Sequence, residues 1–141
     1  MPIAAIDFGQ KRIGLAITDG DGQGAYPLGM LERGSLKHDL DAIRSQFAER
    51  GVSRIVVGLP LNMDGSEGPS ARAARAFAEH LGSATGLPVE MFDERLTSYE
   101  AEERLRGAAA SRAAKKALRD AVAAAIILEG WLEKRRAQPN S

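Results

Sequence analysis

The chemistry this sequence can offer rests on a few well-separated acids. Asp7 closes the apolar run Ile3-Ala4-Ala5-Ile6 and is followed by Phe8-Gly9-Gln10-Lys11-Arg12. Asp93 and Glu94 end a second apolar stretch, Val89 to Phe92, and Asp120 stands among alanines beside Arg119. Asn62 and Asp64 follow a third, Ile55-Val56-Val57. An acid at the end of an apolar strand is costly unless it is solvated, paired or bound to a cation. Acids gathered within a few ångströms repel one another, and a divalent cation relieves that repulsion. Mg²⁺ and Mn²⁺ prefer such hard oxygen donors and suit phosphate substrates. Two such ions can activate an attacking water and stabilise the leaving oxygen of a phosphodiester. Each acid also has an ordinary reading: Asp7 as a turn residue, Glu94 as a strand end, Asp120 as a helix charge paired with Lys116 four residues earlier. One topology that gathers them favours the site.

The hydrophobic pattern supplies such a topology. Residues 3–8 and 12–19 read as strands joined by the Gly9 to Lys11 turn, and a third strand runs from about Ala25 to Leu31. Ser35 suits the N-cap of a helix reaching Arg50, with Gly51 just beyond its end and Leu36, Leu40, Ile43 and Phe47 on one face. Val52 to Gly58 reads as a buried strand, and a helix follows from about Pro69 to Ser83. Val89 to Phe92 is the last strand. Thr97-Ser98-Tyr99-Glu100 is a capping box for a helix to about Arg106. A long helix then runs from about Arg112 to Arg135, with Ala117, Ala121, Ala124, Leu128 and Trp131 inward.

The order β-β-β-α-β-α-β-α-α predicts an α/β fold. Its five-stranded sheet is mixed, antiparallel on one side and parallel on the other, with helices on both faces. Ligands of such sheets collect at the C-terminal ends of the parallel strands, where Asp7, Asn62, Asp64, Asp93 and Glu94 fall. Adjacent strand residues face opposite ways, so Asp93 and Glu94 cannot both aim at one ion while the strand persists. Spacing does not choose between them.

Composition narrows the function classes. The 141 residues suit one domain, taken as 1–136 with a frayed tail over 137–141. The absence of cysteine excludes disulfides, thiol catalysis and Cys-based zinc sites. His38 and His80 show no ligand spacing and read as surface helix residues. No basic region followed by an apolar run opens the chain, and the apolar run Ala121 to Leu128 is too short to span a bilayer. A cytoplasmic protein without a membrane partner is expected. Formal net charge is zero, yet residues 63–103 carry a net of −6 and 104–141 a net of +6. Arg104, Arg106, Arg112, Lys115, Lys116 and Arg119 form a basic stretch without an acid, the footprint of a phosphate-backbone binder. Aromatics are only 5% of residues, which favours recognition of backbone and shape over base stacking.

Four blocks carry a family resemblance. They are Asp7-Phe8-Gly9-Gln10-Lys11-Arg12-Ile13-Gly14-Leu15-Ala16, Gly58-Leu59-Pro60-Leu61-Asn62-Met63-Asp64-Gly65, Asp93-Glu94-Arg95-Leu96-Thr97-Ser98, and Lys115-Lys116 with Asp120 and Ala123-Ala124. In this order they resemble the signature blocks of the YqgF (RuvX) family, bacterial ribonuclease H-like proteins related in fold to RuvC resolvases. The resemblance implies a ribonuclease H-like fold with sheet order 3-2-1-4-5. It implies a metal-dependent nuclease that trims the 5′ end of the 16S ribosomal RNA precursor, in contact with ribosomal precursor particles. It favours Glu94 over Asp93, making Asp7, Glu94 and Asp120 both catalytic residues and ligands of two Mg²⁺ or Mn²⁺ ions. Lys11, Arg12, Asn62, Arg95, Lys115 and Lys116 would contact substrate.

Three other readings compete. A Holliday-junction resolvase acting on branched DNA needs two active sites and hence a homodimer, whereas RNA trimming allows a monomer. Sugar kinases and actin-like ATPases use Asp-x-Gly after a first strand, but they need a second half-domain for which 141 residues leave no room. A non-catalytic RNA-binding assembly factor would use the basic stretch, but acids beside phosphate would only repel its ligand.

Overall fold

The structure, a computed structural model, describes residues 1–20, 22–97, 103 and 112–138, with backbone alone for 112–118. Its first three strands are β1 (Ile3–Phe8), β2 (Arg12–Thr18) and β3 (Ala25–Glu32). They pair as antiparallel neighbours, and a register shift between Leu15 and Ala16 bends the β2–β3 ladder. Helix α1 (Leu36–Glu49) starts where the Ser35 hydroxyl accepts from the His38 amide at 3.1 Å. β4 (Arg54–Leu59) then enters parallel to β1, α2 (Pro69–Thr85) crosses over, and β5 (Val89–Asp93) pairs parallel to β4. A 3₁₀ turn (Glu94–Leu96) follows, and α3 (Arg112–Arg136) closes the described chain. The sheet order is β3-β2-β1-β4-β5, as expected.

Strand alternation divides the core between the two faces of the sheet. Ala4, Ile6, Ile13, Leu15, Ile55 and Val57 pack against Ile43 and Phe47 of α1 and Ala74, Phe77 and Leu81 of α2. The alternate residues Ala5, Ala16, Val56 and Phe92 pack against Ala124, Ala125, Ile127, Leu128 and Trp131 of α3. Each large aliphatic side chain buried here stabilises the fold by roughly 1.5–3 kcal/mol. The small residues of α3 bring its backbone close to the sheet, and the site depends on that approach.

Element ends differ from expectation by a few residues, for local reasons. Val52 was expected in β4, but its amide bonds to the Phe47 carbonyl and closes α1, while Ser53 bonds to Pro2. β3 extends to Glu32, which pairs with Arg12. α2 continues to Thr85, whose hydroxyl donates to the Leu81 carbonyl, and stops at Gly86 in a left-handed conformation (φ +72°). β5 reaches Asp93, paired with Leu59. Of the expected capping box, Thr97 is described and its hydroxyl donates to the Glu94 carbonyl. Residues 98–100, nearly all of the helix expected to about Arg106, and Arg104 and Arg106 of the basic stretch lie outside the described residues, as do the side chains of Arg112, Lys115 and Lys116. No described helix is long and apolar enough to cross a membrane.

Candidate active site

Asp7 lies one residue before the end of β1, on the same face as Ala5, and so looks towards α3. Its partner across the β1–β2 ladder is Gly14. On the other side, the parallel register sets Ile6 opposite Val57, and one step further puts Gly58 beside Asp7. Asp7 is therefore flanked on both neighbouring strands by glycine.

Other parts of the site fill the space those glycines leave. A Cβ on Gly14 would lie 1.8 Å from the carbonyl oxygen of Asp120, on α3. A Cβ on Gly58 would lie 2.9 Å from Oε2 of Glu94 and 2.5 Å from Cδ1 of Ile127. One glycine admits the helix backbone that carries Asp120, and the other admits the Glu94 carboxylate. A glycine inside a strand such as Ile55-Val56-Val57-Gly58-Leu59 marks a close approach of this kind. That signal was available in the sequence, although what approaches was not.

The choice between Asp93 and Glu94 follows from the strand. Met91 faces α1 and α2 and Phe92 faces α3, so alternation sends Asp93 away from Asp7. Asp93 instead caps the 3₁₀ turn, accepting from the Arg95 amide at 2.9 Å. Its carboxylate also takes the Arg95 guanidinium through Nε at 3.0 and 3.1 Å and through Nη2 at 2.8 Å. Those bonds hold its pKa below the usual carboxylate range. Glu94, one residue on, reaches Gly58.

The electrostatics of the cluster are those of like charges pressed together. Burial first, and then the charge of Asp120, raise the pKa of Asp7. Burial, then Asp7, then Asp93 push Glu94 up to about 7. Among the described residues, neither Asp7 nor Glu94 has an ion-pair partner. Asp120 has one: its Oδ2 accepts from Nε of Arg12 at 2.8 Å, across 108 residues of chain. All the donors are hard oxygens, and two are held partly out of water without a counter-charge. This donor chemistry fits Mg²⁺ or Mn²⁺. Among the described residues, however, no three Asp, Glu or His side chains already converge on one ion.

The remaining expected substrate residues divide. Lys11 is exposed in the β1–β2 turn. Asn62 and Asp64 build the loop after β4, with Ser66 at its centre. Asn62 Nδ2 donates to the Ser66 hydroxyl at 2.9 Å, and that hydroxyl donates to Asp64 at 2.6 Å. Arg95 ties this loop to β5 by donating from Nη1 to the Met63 carbonyl at 3.2 Å. The side chains of Lys115 and Lys116 lie outside the described residues.

One supporting group had no signal in the sequence. Arg33, just past β3, donates from Nη1 to the carbonyls of Gly9 and Gln10 at 3.1 and 3.0 Å. Its guanidinium lies 4.4 Å from the centre of the Phe8 ring, which stacks on Phe77 of α2. Behind it, Asp39 of α1 is 1% exposed and accepts from the Gly34 amide at 2.9 Å. Arg33 thus braces the turn that follows Asp7.

Comparison with known proteins places this arrangement. Residues 1–134 match the family described as RuvX: Holliday junction resolvase. A protein of Anaeromyxobacter sp. (strain Fw109-5) named "Putative pre-16S rRNA nuclease" is 51% identical over 137 residues, covering 97% of this chain and all of that one. A Chloroflexus aurantiacus protein of the same name is 49% identical over 138 residues, 98% of this chain and 90% of its own. Among solved structures, Thermus thermophilus RuvC in complex with a Holliday junction substrate aligns with a TM-score of 0.67 at 16% identity, over 97% of this chain and 96% of that one. Thermus thermophilus RuvC by itself aligns with a TM-score of 0.59 at 19% identity, over 97% of each chain. That likeness shows the fold, which is ribonuclease H-like. With the family match running through α3 and relatives of about half identity along nearly its whole length, the chain belongs to the RuvX family.

Proposed function

We propose that the chain is a nuclease that hydrolyses phosphodiester bonds with Mg²⁺ or Mn²⁺ held by Asp7, Glu94 and Asp120. The observation that carries this reading is Asp7 between two glycines, with Asp120 and Glu94 brought in where their side chains would stand. A fold gains nothing from crowding acids that raise one another's pKa, but a cation site does. When bound, the cation supplies an activated water and a counter-charge for the leaving oxygen. The chain supplies the frame. Asp7 is fixed on a central strand, Glu94 on a turn capped by Asp93, and Asp120 on a helix seated on Gly14. Arg12, bonded to Asp120, and Lys11, exposed in the turn before it, would meet phosphate, and Lys115 and Lys116 would join them. Asn62 and Arg95 shape the adjoining loop against which the backbone would lie.

We infer that the substrate is the 5′ end of pre-16S rRNA, met on ribosomal precursor particles in the cytoplasm. The support is the name shared by relatives of 49–51% identity over nearly the whole chain. The family description, Holliday junction resolvase, supports branched DNA as the alternative substrate; a resolvase with two active sites would act on it as a homodimer. The test is cleavage of a labelled pre-16S 5′ fragment and of a four-way DNA junction. Each is incubated with Mg²⁺, Mn²⁺ or EDTA, using wild type and Asp7→Asn. We expect metal-dependent cutting of the RNA that Asp7→Asn abolishes. Cutting of the junction alone transfers the assignment to a resolvase. If neither substrate is cut, a non-catalytic RNA-binding factor replaces both.

A further inference from the structure

Two arginines that bond acids of this cluster or its edge are held in different ways. Arg95 has a partner at each of its three nitrogens: its fork embraces Asp93 and its remaining terminal nitrogen bonds the Met63 carbonyl. Arg12 makes a single bond, from Nε to Asp120. Among the described residues, its two terminal nitrogens have no partner, and its side chain is 38% exposed. A guanidinium with two open terminal nitrogens, at the rim of an acid cluster, matches the two oxygens of a phosphodiester. Asp120 is also the acid whose charge bears on Asp7. While Arg12 neutralises Asp120, that acid attracts a cation less, and the guanidinium itself repels one.

Resting on the reading of the acids as a cation site, we propose that Arg12 is exchanged between Asp120 and the nucleic-acid backbone, so that substrate and cation bind cooperatively. In this exchange the bond that the structure shows from Arg12 to Asp120 is the arrangement before nucleic acid arrives, and it keeps that acid from a shared cation. An arriving phosphodiester offers Arg12 a second anion. Asp120 is released to join Asp7 and Glu94, and the cation binds more tightly. Linkage requires the converse: the cation tightens nucleic-acid binding by the same factor. Arg12 is in this sense a positioning residue that makes a complete cation site conditional on substrate.

The experiment measures Mn²⁺ affinity by the electron paramagnetic resonance signal of free Mn²⁺. It compares wild type, Arg12→Gln, Lys11→Gln and Asp7→Asn, each with and without a short phosphorothioate RNA, after subtracting the RNA's own Mn²⁺ uptake. In wild type we expect the RNA to tighten Mn²⁺ binding by about fivefold or more. Arg12→Gln without RNA should bind Mn²⁺ about as tightly as wild type with RNA, and RNA should then add little. Lys11→Gln removes a neighbouring charge that touches neither acid, and should tighten Mn²⁺ less than Arg12→Gln does. The exchange is overturned if Arg12→Gln binds Mn²⁺ no better than wild type, because Arg12 then only orients Asp120. It is also overturned if Lys11→Gln tightens binding as much, because net charge then explains the gain. In both cases the cation reading stands. Wild type that binds no Mn²⁺, or binding that Asp7→Asn leaves intact, removes the cation reading and the exchange with it.

Discussion

Gly14 lies so close to the backbone of Asp120 that a Cβ on it would stand 1.8 Å from the Asp120 carbonyl oxygen. The obstacle is main chain, so no rotamer change relieves it. Gly14→Ala must push α3 off β2 or bend the strand, and overpacking of this kind costs roughly 1–3 kcal/mol or more. We expect the upper end, about 3 kcal/mol, as a lower urea midpoint, and cleavage lost because Asp120 moves with the helix.

Gly58→Ala should behave differently, although Gly58 also flanks Asp7. The added methyl meets the far end of Ile127 and the carboxylate of Glu94, both side chains that can turn aside. Stability should fall by only about 1 kcal/mol. Glu94 is displaced from beside Asp7, so cleavage should fall at least about tenfold, the rate equivalent of roughly 1.4 kcal/mol. Urea unfolding and cleavage on the same two variants separate a glycine needed for packing from one needed for the site.

The pKa of Glu94, pushed up to about 7, sets a pH dependence in EDTA. An acid whose folded pKa is raised contributes stability that is fully present below its unfolded value, 4.5, and is lost as pH rises through the folded value. Wild type should therefore lose stability between about pH 5 and pH 8, by roughly 1–2 kcal/mol after allowance for solvent screening. Glu94→Gln, which cannot ionise, should lack that component of the slope and be the more stable of the two at the alkaline end. Thermal unfolding of both proteins across the range measures it. Mg²⁺ should restore wild type at high pH and leave Glu94→Gln nearly unmoved. Parallel pH profiles for the two proteins would refute the assignment.

How much of this was legible depended on the range over which a signal acts. Strand alternation and helical stripes are local, and they led to a mixed five-stranded sheet and to the faces of Ile13, Leu15 and Trp131, whereas the order of the strands was implied only by the family resemblance. The same alternation separates Asp93 from Glu94 once Met91 and Phe92 are assigned to faces, which spacing alone could not do. The partner of Asp120 was beyond such rules. Helix spacing points to Lys116 four residues earlier, whose side chain lies outside the described residues, and no spacing rule points to Arg12 on β2, which the structure shows bonded to Asp120. Val52 looked like strand because it is β-branched and apolar, but its amide was needed to close α1. Gly14 and Gly58 stood in the family blocks as letters, and their reason lies in residues distant in sequence.

Arg33 is the least visible of these groups, and its removal tests whether the turn after Asp7 is braced from outside. Arg33→Ala withdraws both bonds to the Gly9 and Gln10 carbonyls and the ring contact with Phe8. It also leaves the buried Asp39 without the guanidinium 3.9 Å away. Hydrogen bonds to charged groups contribute roughly 1.5–3 kcal/mol each net of water, and because these two are exposed a total loss of about 2 kcal/mol is expected. Arg33→Lys keeps the charge near Asp39 but offers one point donor in place of a planar fork, and should recover less than half of the loss. Amide exchange locates the effect. Protection of the Gly9 amide, which bonds to the Arg12 carbonyl at 3.0 Å, should fall in Arg33→Ala by more than the global destabilisation explains. If the Gly9 amide instead follows global unfolding, the turn is held by its own hydrogen bonds and Arg33 serves only α1.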